Sequence, residues 1–169
     1  GCDIIVDDVG WSDEPKFEDG PIAQEASQFV TDGGVYVTAA GNSAQRHYFH
    51  QYVRTTGPGS GYDYAHDYGG GHDGNAFTVP PGGSIVTTLQ WNNQWGLSGD
   101  DFDLYLFRSS DMEILAWCDN YQTGDGNPWE EFSWTNPTGS SVSVFIAVWE
   151  WSLVSPPSSL MLDYHVYNN

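Results

Sequence analysis

The chain has few cationic side chains. Its 169 residues contain 4 Lys and Arg against 23 Asp and Glu, so the formal net charge is -19. Nucleic acid and anionic membrane surfaces are excluded as partners, because too few cations are present to neutralise phosphate groups. Three explanations of the acidity stay open: a self-repelling extracellular surface, calcium binding in acidic loops, and adaptation to high salt.

Long apolar segments are also missing from the sequence. No run of about 18 apolar residues occurs, so we expect no membrane span. The chain starts at Gly1-Cys2-Asp3 without Met or a signal peptide, and we therefore expect a mature or cut fragment. Taken with the acidic surface, this predicts an extracellular or secreted protein.

Cysteine is scarce. Cys2 and Cys118 are far apart in sequence, and neither belongs to a Cys-x-x-Cys pair or to a Cys/His cluster with zinc-finger spacing. In an exported protein they could form a disulfide within one chain or between two. They could equally be free thiols that behave as small hydrophobic side chains.

The chain does have the composition of a folded protein, with 39% hydrophobic and 15% aromatic residues. Residues 1–44 are predicted to form a strand, a helix and a strand. The run Ile4-Ile5-Val6 predicts a strand covered on both faces. Asp19-Gly20-Pro21 predicts a helix start, with Asp19 as the cap, and Gly33-Gly34 predicts its end. We expect a parallel βαβ unit whose first strand has an open edge, through which copies of the chain could associate.

The first fifty residues resemble a known family. Asp3-Ile-Ile-Val-Asp-Asp-Val-Gly10 followed by Val35-Tyr-Val-Thr-Ala-Ala-Gly-Asn42 is similar to the middle of the catalytic domain of subtilisin-like serine proteases (subtilases). The resemblance implies that Asn42 is an oxyanion-hole donor. It also implies a catalytic Asp and His before this segment and a nucleophile in a Gly-Thr-Ser motif after it, and the chain contains none of these motifs. We expect no enzyme activity from this chain on its own.

The histidines do not supply a substitute triad. No Ser lies in a nucleophile-elbow pattern such as Gly-x-Ser-x-Gly. The histidines therefore have no recognisable nucleophile to activate; they are His47, His50, His66, His72 and His165. Residues 45–75 are predicted to be a linker rich in glycine and aromatic residues. Within it, His66-Asp67 and His72-Asp73 suggest either an imidazole–carboxylate metal site or a loop ordered by local hydrogen bonds.

Residues 76–169 are predicted to form a β-sandwich. Short segments of alternating polarity, such as 84–91 and 102–108, are separated by turn signals such as Pro80-Pro-Gly-Gly83. The predicted fold class is α+β: a short βαβ unit followed by a mainly antiparallel sandwich of jelly-roll type. This half resembles the pre-peptidase C-terminal domains of secreted proteases and sandwiches inserted in subtilases, which implies roles in secretion, stability or attachment, with calcium in some members.

Two candidate sites follow from the sandwich sequence. Calcium, a cation that takes six to eight oxygen ligands, is the expected cofactor, with the candidate ligands Asp100, Asp101, Asp103, Asp119 and Asp125. The alternative is that these acids only cap turns. Four tryptophans are interpreted either as core residues or as a surface platform for sugar or a partner chain; they are Trp91, Trp95, Trp149 and Trp151.

Three functions remain at this point. The first is a non-catalytic extracellular structural or binding module derived from a subtilase-like protein, which associates with copies of itself into an oligomer or filament. The second is the oxyanion-hole fragment of a secreted serine peptidase, with peptide as the partner. The third is a sandwich that binds carbohydrate at a cell surface.

Overall fold

The computed structural model describes residues 1–41 and 46–168. The amino-terminal part is the predicted βαβ unit: β1 (Ile4–Asp7), α1 (Pro21–Thr31) and β2 (Val35–Thr38). β1 and β2 are parallel, with Ile4 opposite Val35 and Val6 opposite Val37. Asn42, the oxyanion donor implied by the resemblance, lies outside the described residues.

The helix starts at the predicted place but has a different cap. Gly20 occupies the N-cap position but has no side chain that could cap the helix. Glu14 caps the helix instead. The Glu14 Oε1 atom accepts hydrogen bonds from the backbone N–H groups of Ile22 at 3.2 Å and Ala23 at 3.3 Å. A Cβ atom at residue 20 would collide with this carboxylate. Asp19 is therefore not the cap, since the loop that precedes the helix folds back and supplies a carboxylate from residue 14.

One face of the β1–β2 sheet is uncovered. Helix α1 lies over the other face, where its Ile22 and Phe29 line a cavity together with Ile5 and Tyr36 of the strands. On the uncovered face Ile4 is 57% exposed, Val6 72%, Val35 53% and Val37 48%. Parallel sheets are normally covered on both faces, so this surface lacks a cover in the described part of the chain.

The rest of the chain is an antiparallel sandwich, as predicted. Its strands are β3 (His47–Gln51), β4 (Arg54–Gly59), β5 (Tyr62–His66), β6 (Asn75–Val79), β7 (Ser84–Trp91), β8 (Asp101–Arg108), β9 (Ile114–Cys118), β10 (Trp129–Thr135), β11 (Val142–Ser152) and β12 (Met161–Asn168). One sheet has the order β10-β7-β12-β3. The other has the order β4-β5-β11-β8-β9, and β6 also pairs with β11.

The segment predicted as a linker, 45–75, belongs largely to the sandwich. It contains β3, which pairs with β12, and the hairpin β4–β5, which pairs with β11. The glycines in this segment were interpreted as turn signals, so its strands were not predicted. Gly57, for example, lies inside β4, where a Cβ atom would collide with the backbone of β5. The sandwich therefore starts at His47, about thirty residues before the predicted boundary.

The sandwich core follows from strand alternation. Leu104 and Leu106 on β8 and Ile146 and Val148 on β11 are fully buried between the sheets, against Trp91 of β7. Their sequence neighbours on each strand point to the outer face of the six-stranded sheet, because successive side chains alternate.

A loop joins the βαβ unit to the four-stranded sheet. Gln90 of β7 donates from Nε2 to the Glu14 carbonyl at 3.0 Å and accepts at Oε1 from the Lys16 N–H at 2.9 Å. Glu18 Oε1 accepts a hydrogen bond from the Trp95 N–H at 2.7 Å. The loop thus lies across the outer face of this sheet. No helix in residues 1–41 and 46–168 is long and apolar enough to cross a membrane.

Candidate functional site

The outer face of the six-stranded sheet carries a continuous group of aromatic side chains. Strand alternation places Tyr105 and Phe107 of β8 and Phe145 and Trp149 of β11 on this side, and Tyr62 reaches over it from β5. The ring centroids of Tyr105 and Trp149 are 4.1 Å apart, and those of Phe107 and Phe145 are 5.0 Å apart. Tyr105 and Phe107 are buried because other rings cover them.

Exposed rings extend this group at one end. Trp151, 41% exposed, has its ring centroid 5.4 Å from Tyr62 and 5.7 Å from Tyr121, which is 69% exposed. Trp117 lies opposite Tyr105 on β9 and is 56% exposed. We call the set Tyr62, Tyr105, Phe107, Trp117, Tyr121, Phe145, Trp149 and Trp151 the aromatic face. It has a buried centre and an accessible margin.

Asp103 lies within the aromatic face, opposite Trp149 in the strand register. Its Oδ2 atom accepts a hydrogen bond of 2.5 Å from the Tyr62 hydroxyl, which is also 2.9 Å from the Tyr105 hydroxyl. Burial raises the pKa of Asp103 to about 7, and the charges of Asp101 and Asp119 add to this while the Tyr62 hydrogen bond opposes it. The face therefore combines apolar rings with hydroxyl and carboxyl groups.

A second polar network lies beside it at the end of β8. The backbone N–H of Gln122 donates to Asp101 Oδ2 at 3.3 Å, and the Gln122 Nε2 atom donates to Glu130 Oε1 at 2.8 Å. Asp101 Oδ1 and Gln122 Oε1 have no hydrogen-bond partner among the described residues. Burial raises the pKa of Asp101 to about 6 and that of Glu130 to about 7. Two acceptor oxygens without partners beside buried acids are features that a bound cation could satisfy.

The five predicted calcium ligands do not form one site. Asp100 is fully buried, and its oxygens accept hydrogen bonds from Val154 N–H, Ser155 N–H and Asn93 Nδ2 at 2.7–2.8 Å. These bonds hold its pKa below the usual value although burial acts in the opposite direction.

Of the remaining four, Asp119 and Asp125 are exposed, and Asp125 accepts from Thr123. Only Asp101 and Asp103 combine burial with raised pKa values. Calcium binding itself stays a prediction, centred on Asp101 and Gln122 and not on Asp100.

Two of the four candidate platform tryptophans lie on the aromatic face and two do not; their role in binding stays a prediction. Trp149 and Trp151 belong to the aromatic face, but Trp91 is in the core, where its Nε1 donates to Ser98 Oγ at 3.0 Å. Trp95 packs against Trp129 with ring centroids 6.2 Å apart, away from the aromatic face. In sequence, Trp91 alternates with polar neighbours in the same way as a residue that faces outward. The pattern alone therefore could not distinguish Trp91 from Trp149.

His66 is a core residue and not part of a metal site. It is fully buried, its Nε2 is 2.7 Å from the Tyr48 hydroxyl, and its Nδ1 accepts from the Val53 N–H at 3.2 Å. Burial lowers its pKa to about 4. Asp67 accepts from the N–H groups of Gly69 and Gly71 and so orders the glycine-rich loop.

The two cysteines are free. Cys2 is exposed and Cys118 is half-buried, so the disulfide considered within one chain is not formed. Burial, followed by its hydrogen bond with Glu130, raises the pKa of the Cys118 thiol to about 12. Because the thiolate is the reactive form, we expect Cys118 to react slowly, and a disulfide between chains through Cys2 remains a prediction.

Comparisons with known proteins give no family. No family model matches the chain, and no curated protein matches it. Among solved structures, the C-terminal domain of BC2L-C lectin from Burkholderia cenocepacia is 14% identical with a TM-score of 0.30, covering 58% of this chain and 96% of that domain.

A carbohydrate-binding module, CBM6cm-2 from Cellvibrio mixtus lichenase 5A, was solved in complex with cellotriose. It is 13% identical with a TM-score of 0.32, covering 75% of this chain and 95% of the module. Likeness of this size carries no inference about what this chain binds.

Proposed function

We propose that this chain is a non-catalytic binding module whose aromatic face binds a neutral glycan. The observation that supports the proposal is the face itself. Exposed Trp151 lies beside exposed Tyr121 and the ring of Tyr62, whose hydroxyl is held by the buried Asp103. Sugar rings present apolar C–H faces and equatorial or axial hydroxyls, so they match a surface that offers aromatic rings and polar groups together.

The charge of the chain selects the kind of glycan. With a net charge of -19, the protein repels polysaccharides that carry carboxylate or sulfate groups. The exposed carboxylate of Asp119 places negative charge near the aromatic face itself. The ligand we propose is therefore an uncharged polysaccharide of a cell surface or cell wall, which fits a secreted module.

The test is binding to neutral soluble polysaccharides: β-glucan, xylan and galactomannan, by affinity electrophoresis and by calorimetry with their oligosaccharides. We expect at least one to bind, and Trp151→Ala or Tyr121→Ala to weaken binding by about tenfold or more, since truncating a central Trp or Tyr at an interface commonly costs about 2 kcal/mol. Trp11→Ala is the matched control, because Trp11 is also exposed, at 56%, but lies in the loop over the other sheet.

Two results would overturn the proposal. One is that none of the polysaccharides binds to the folded wild-type protein. The other is that Trp11→Ala weakens binding as much as Trp151→Ala, which would show a non-specific aromatic effect.

A second role is favoured by the uncovered face of the β1–β2 sheet. We propose that the βαβ unit belongs to a subtilase-like α/β domain whose other elements cover this face, with the sandwich as an inserted module. Four exposed aliphatic side chains on a parallel pair support this: Ile4, Val6, Val35 and Val37. A second copy of the chain is the other conceivable cover, but two chains of net charge -19 repel each other.

Sedimentation and hydrogen exchange distinguish whether this face is covered by other elements of an α/β domain or by a second copy of the chain. We expect an 18.7 kDa monomer whose β1–β2 amides exchange faster than those of the sandwich. A concentration-dependent dimer or filament that Val6→Lys abolishes would instead assign the face to a second copy. Peptide hydrolysis by the chain alone, lost in Asn42→Ala, would contradict the non-catalytic role.

A further inference from the structure

Two histidines and one aspartate converge on the outer face of the four-stranded sheet. His47 of β3 lies directly opposite His165 of β12, and Asp163 precedes His165 by two residues and so shares its face. Nε2 of His47 is 3.0 Å from Asp163 Oδ2, and Nε2 of His165 is 3.0 Å from Asp163 Oδ1. One ligand atom of each residue lies within 4.8 Å of those of the other two.

The carboxylate between the two rings is incompletely satisfied. Asp163 is 8% exposed, and its Oδ1 atom has no hydrogen-bond partner within the described chain. His165 Nε2 is near enough to this oxygen but is not aligned as a hydrogen-bond donor to it, since only the His47 contact meets hydrogen-bond geometry. Leaving a buried acceptor unsatisfied is costly, and a cation placed between the oxygen and the ring nitrogens would remove that cost.

Neighbouring rings hold the two imidazoles in place. The ring centroids of His47 and His165 are 4.3 Å apart, at an interplanar angle of 25°. Phe49 stacks on His47 at 6.4 Å and Tyr167 on His165 at 5.7 Å. The side chains of His47 and His165 remain 36% and 20% exposed, so an ion and a water molecule can reach them from solvent.

We propose that His47, Asp163 and His165 bind a zinc ion, with a fourth position open to water. Two imidazole nitrogens and one carboxylate oxygen form a donor set typical of Zn²⁺. Zinc–ligand bonds of about 2.0–2.2 Å at tetrahedral angles separate the ligand atoms by about 3.3 Å. Each imidazole nitrogen is 3.0 Å from one of the two Asp163 oxygens, and one ligand atom of each residue lies within 4.8 Å of the other two. Calcium is a poor match, because it takes oxygen ligands.

The ion would join the edge strand of the sheet to its neighbour. β3 is the outermost strand and the first strand of the sandwich, and His47 is its first residue. Its outward side is unpaired within the described strands. Metal binding between β3 and β12 would hold this edge in register and so resist its fraying.

The test is zinc titration by calorimetry at neutral pH, with thermal unfolding and Co²⁺ absorption as further measurements. All proteins carry Cys2→Ser, because the exposed Cys2 thiol could bind zinc by itself. We expect one ion per chain, a higher melting temperature with zinc, and a Co²⁺ spectrum without thiolate charge-transfer bands. His47→Gln and Asp163→Asn should each weaken binding by about tenfold or more.

His72→Gln is the matched control, because His72 is exposed and lies outside the cluster. It should bind zinc as the parent does. His47→Gln keeps the proposal testable if the buried Asp163→Asn fails to fold, since His47 is at the start of an edge strand. Absence of saturable binding, or equal loss in His72→Gln and His47→Gln, would overturn the proposal.

Discussion

Replacing Asp103 by Asn is expected to remove one part of the loss of stability that the wild-type protein undergoes as the pH rises. Asp103 is 3% exposed, and burial is the main cause that raises its pKa from 3.8 to about 7. In the unfolded chain the carboxyl ionises near its ordinary pKa. Between these two values the folded protein therefore holds a proton that the unfolded chain has released.

The sign and size follow from linkage. Because the folded pKa is the higher one, the contribution of Asp103 to stability is fully present below about pH 4 and is lost as the pH rises toward 7. Each unit of pH in that window is worth about 1.4 kcal/mol. From pH 5 to pH 8 the window covers about two units, so the wild type should lose about 3 kcal/mol of unfolding free energy through this group.

Urea unfolding at pH 5, 6, 7 and 8 measures this for the wild type, Asp103→Asn and Asp125→Asn. In the Asp103→Asn variant the new amide keeps an oxygen that accepts from the Tyr62 hydroxyl but carries no charge at any pH. The difference in unfolding free energy between Asp103→Asn and the wild type should therefore grow in favour of the variant by about 3 kcal/mol from pH 5 to pH 8. Asp125 is exposed, and its variant should show a difference that hardly changes with pH.

The reasoning is refuted if the difference between Asp103→Asn and the wild type is the same at pH 5 and pH 8. A variant that is less stable at both pH values by an equal amount would show that Asp103 acts only through its hydrogen bond. Ionic strength has to be held constant across the series, because the net charge of the whole chain also changes with pH.

Three further predictions concern other parts of the sandwich. Arg54→Met should destabilise the protein by about 2 kcal/mol in urea unfolding, because Glu150, 8% exposed, would lose two hydrogen bonds of 2.6–2.7 Å and keep the one from the Tyr52 hydroxyl; adding Glu150→Gln should recover part of the loss. A thiol reagent should modify Cys2 in the native protein and Cys118 only after unfolding, and equal rates would contradict the burial of Cys118. Calcium should raise the melting temperature at pH 8 and a chelator reverse this, with a smaller effect in Asp101→Asn; no shift would remove calcium as a cofactor.

Strand alternation and turn residues were enough to predict most of the fold. The segment 84–91 is β7 as predicted, and 102–108 is β8 within one residue. The helix ended before Gly33, as expected. The first strands of the sandwich escaped prediction because β4 contains Gly57, Pro58 and Gly59, which in sequence are turn signals. Their strand character depends on close pairing with β5, and such contacts are tertiary.

The sites were less predictable for a related reason. The spacing of Asp101 and Asp103 correctly predicted that they share one face. Asp100 instead accepts hydrogen bonds from backbone N–H groups more than fifty residues away in sequence. Glu130 and Gln122 carry no local signal, since an acid in a strand and an amide in a loop are ordinary. His47 and His165 are 118 positions apart in sequence, and only the pairing of β3 with β12 brings them together.

Because the chain has few cationic side chains, several of its buried acids have no cationic partner among the described residues. Arg54 pairs with Glu150, and Arg108 pairs with Asp111 and Glu113. No ion pair in the described chain involves Asp101, Asp103 or Glu130, so no guanidinium or ammonium group compensates their burial there. A buried carboxyl without a cationic partner must hold a proton or a metal ion. The raised pKa values correspond to holding a proton. The oxygens of Asp101 and Gln122 that have no hydrogen-bond partner could instead bind a metal ion. The stability of this sandwich should therefore respond to protons and divalent cations more strongly than that of a domain whose buried acids are paired with arginine.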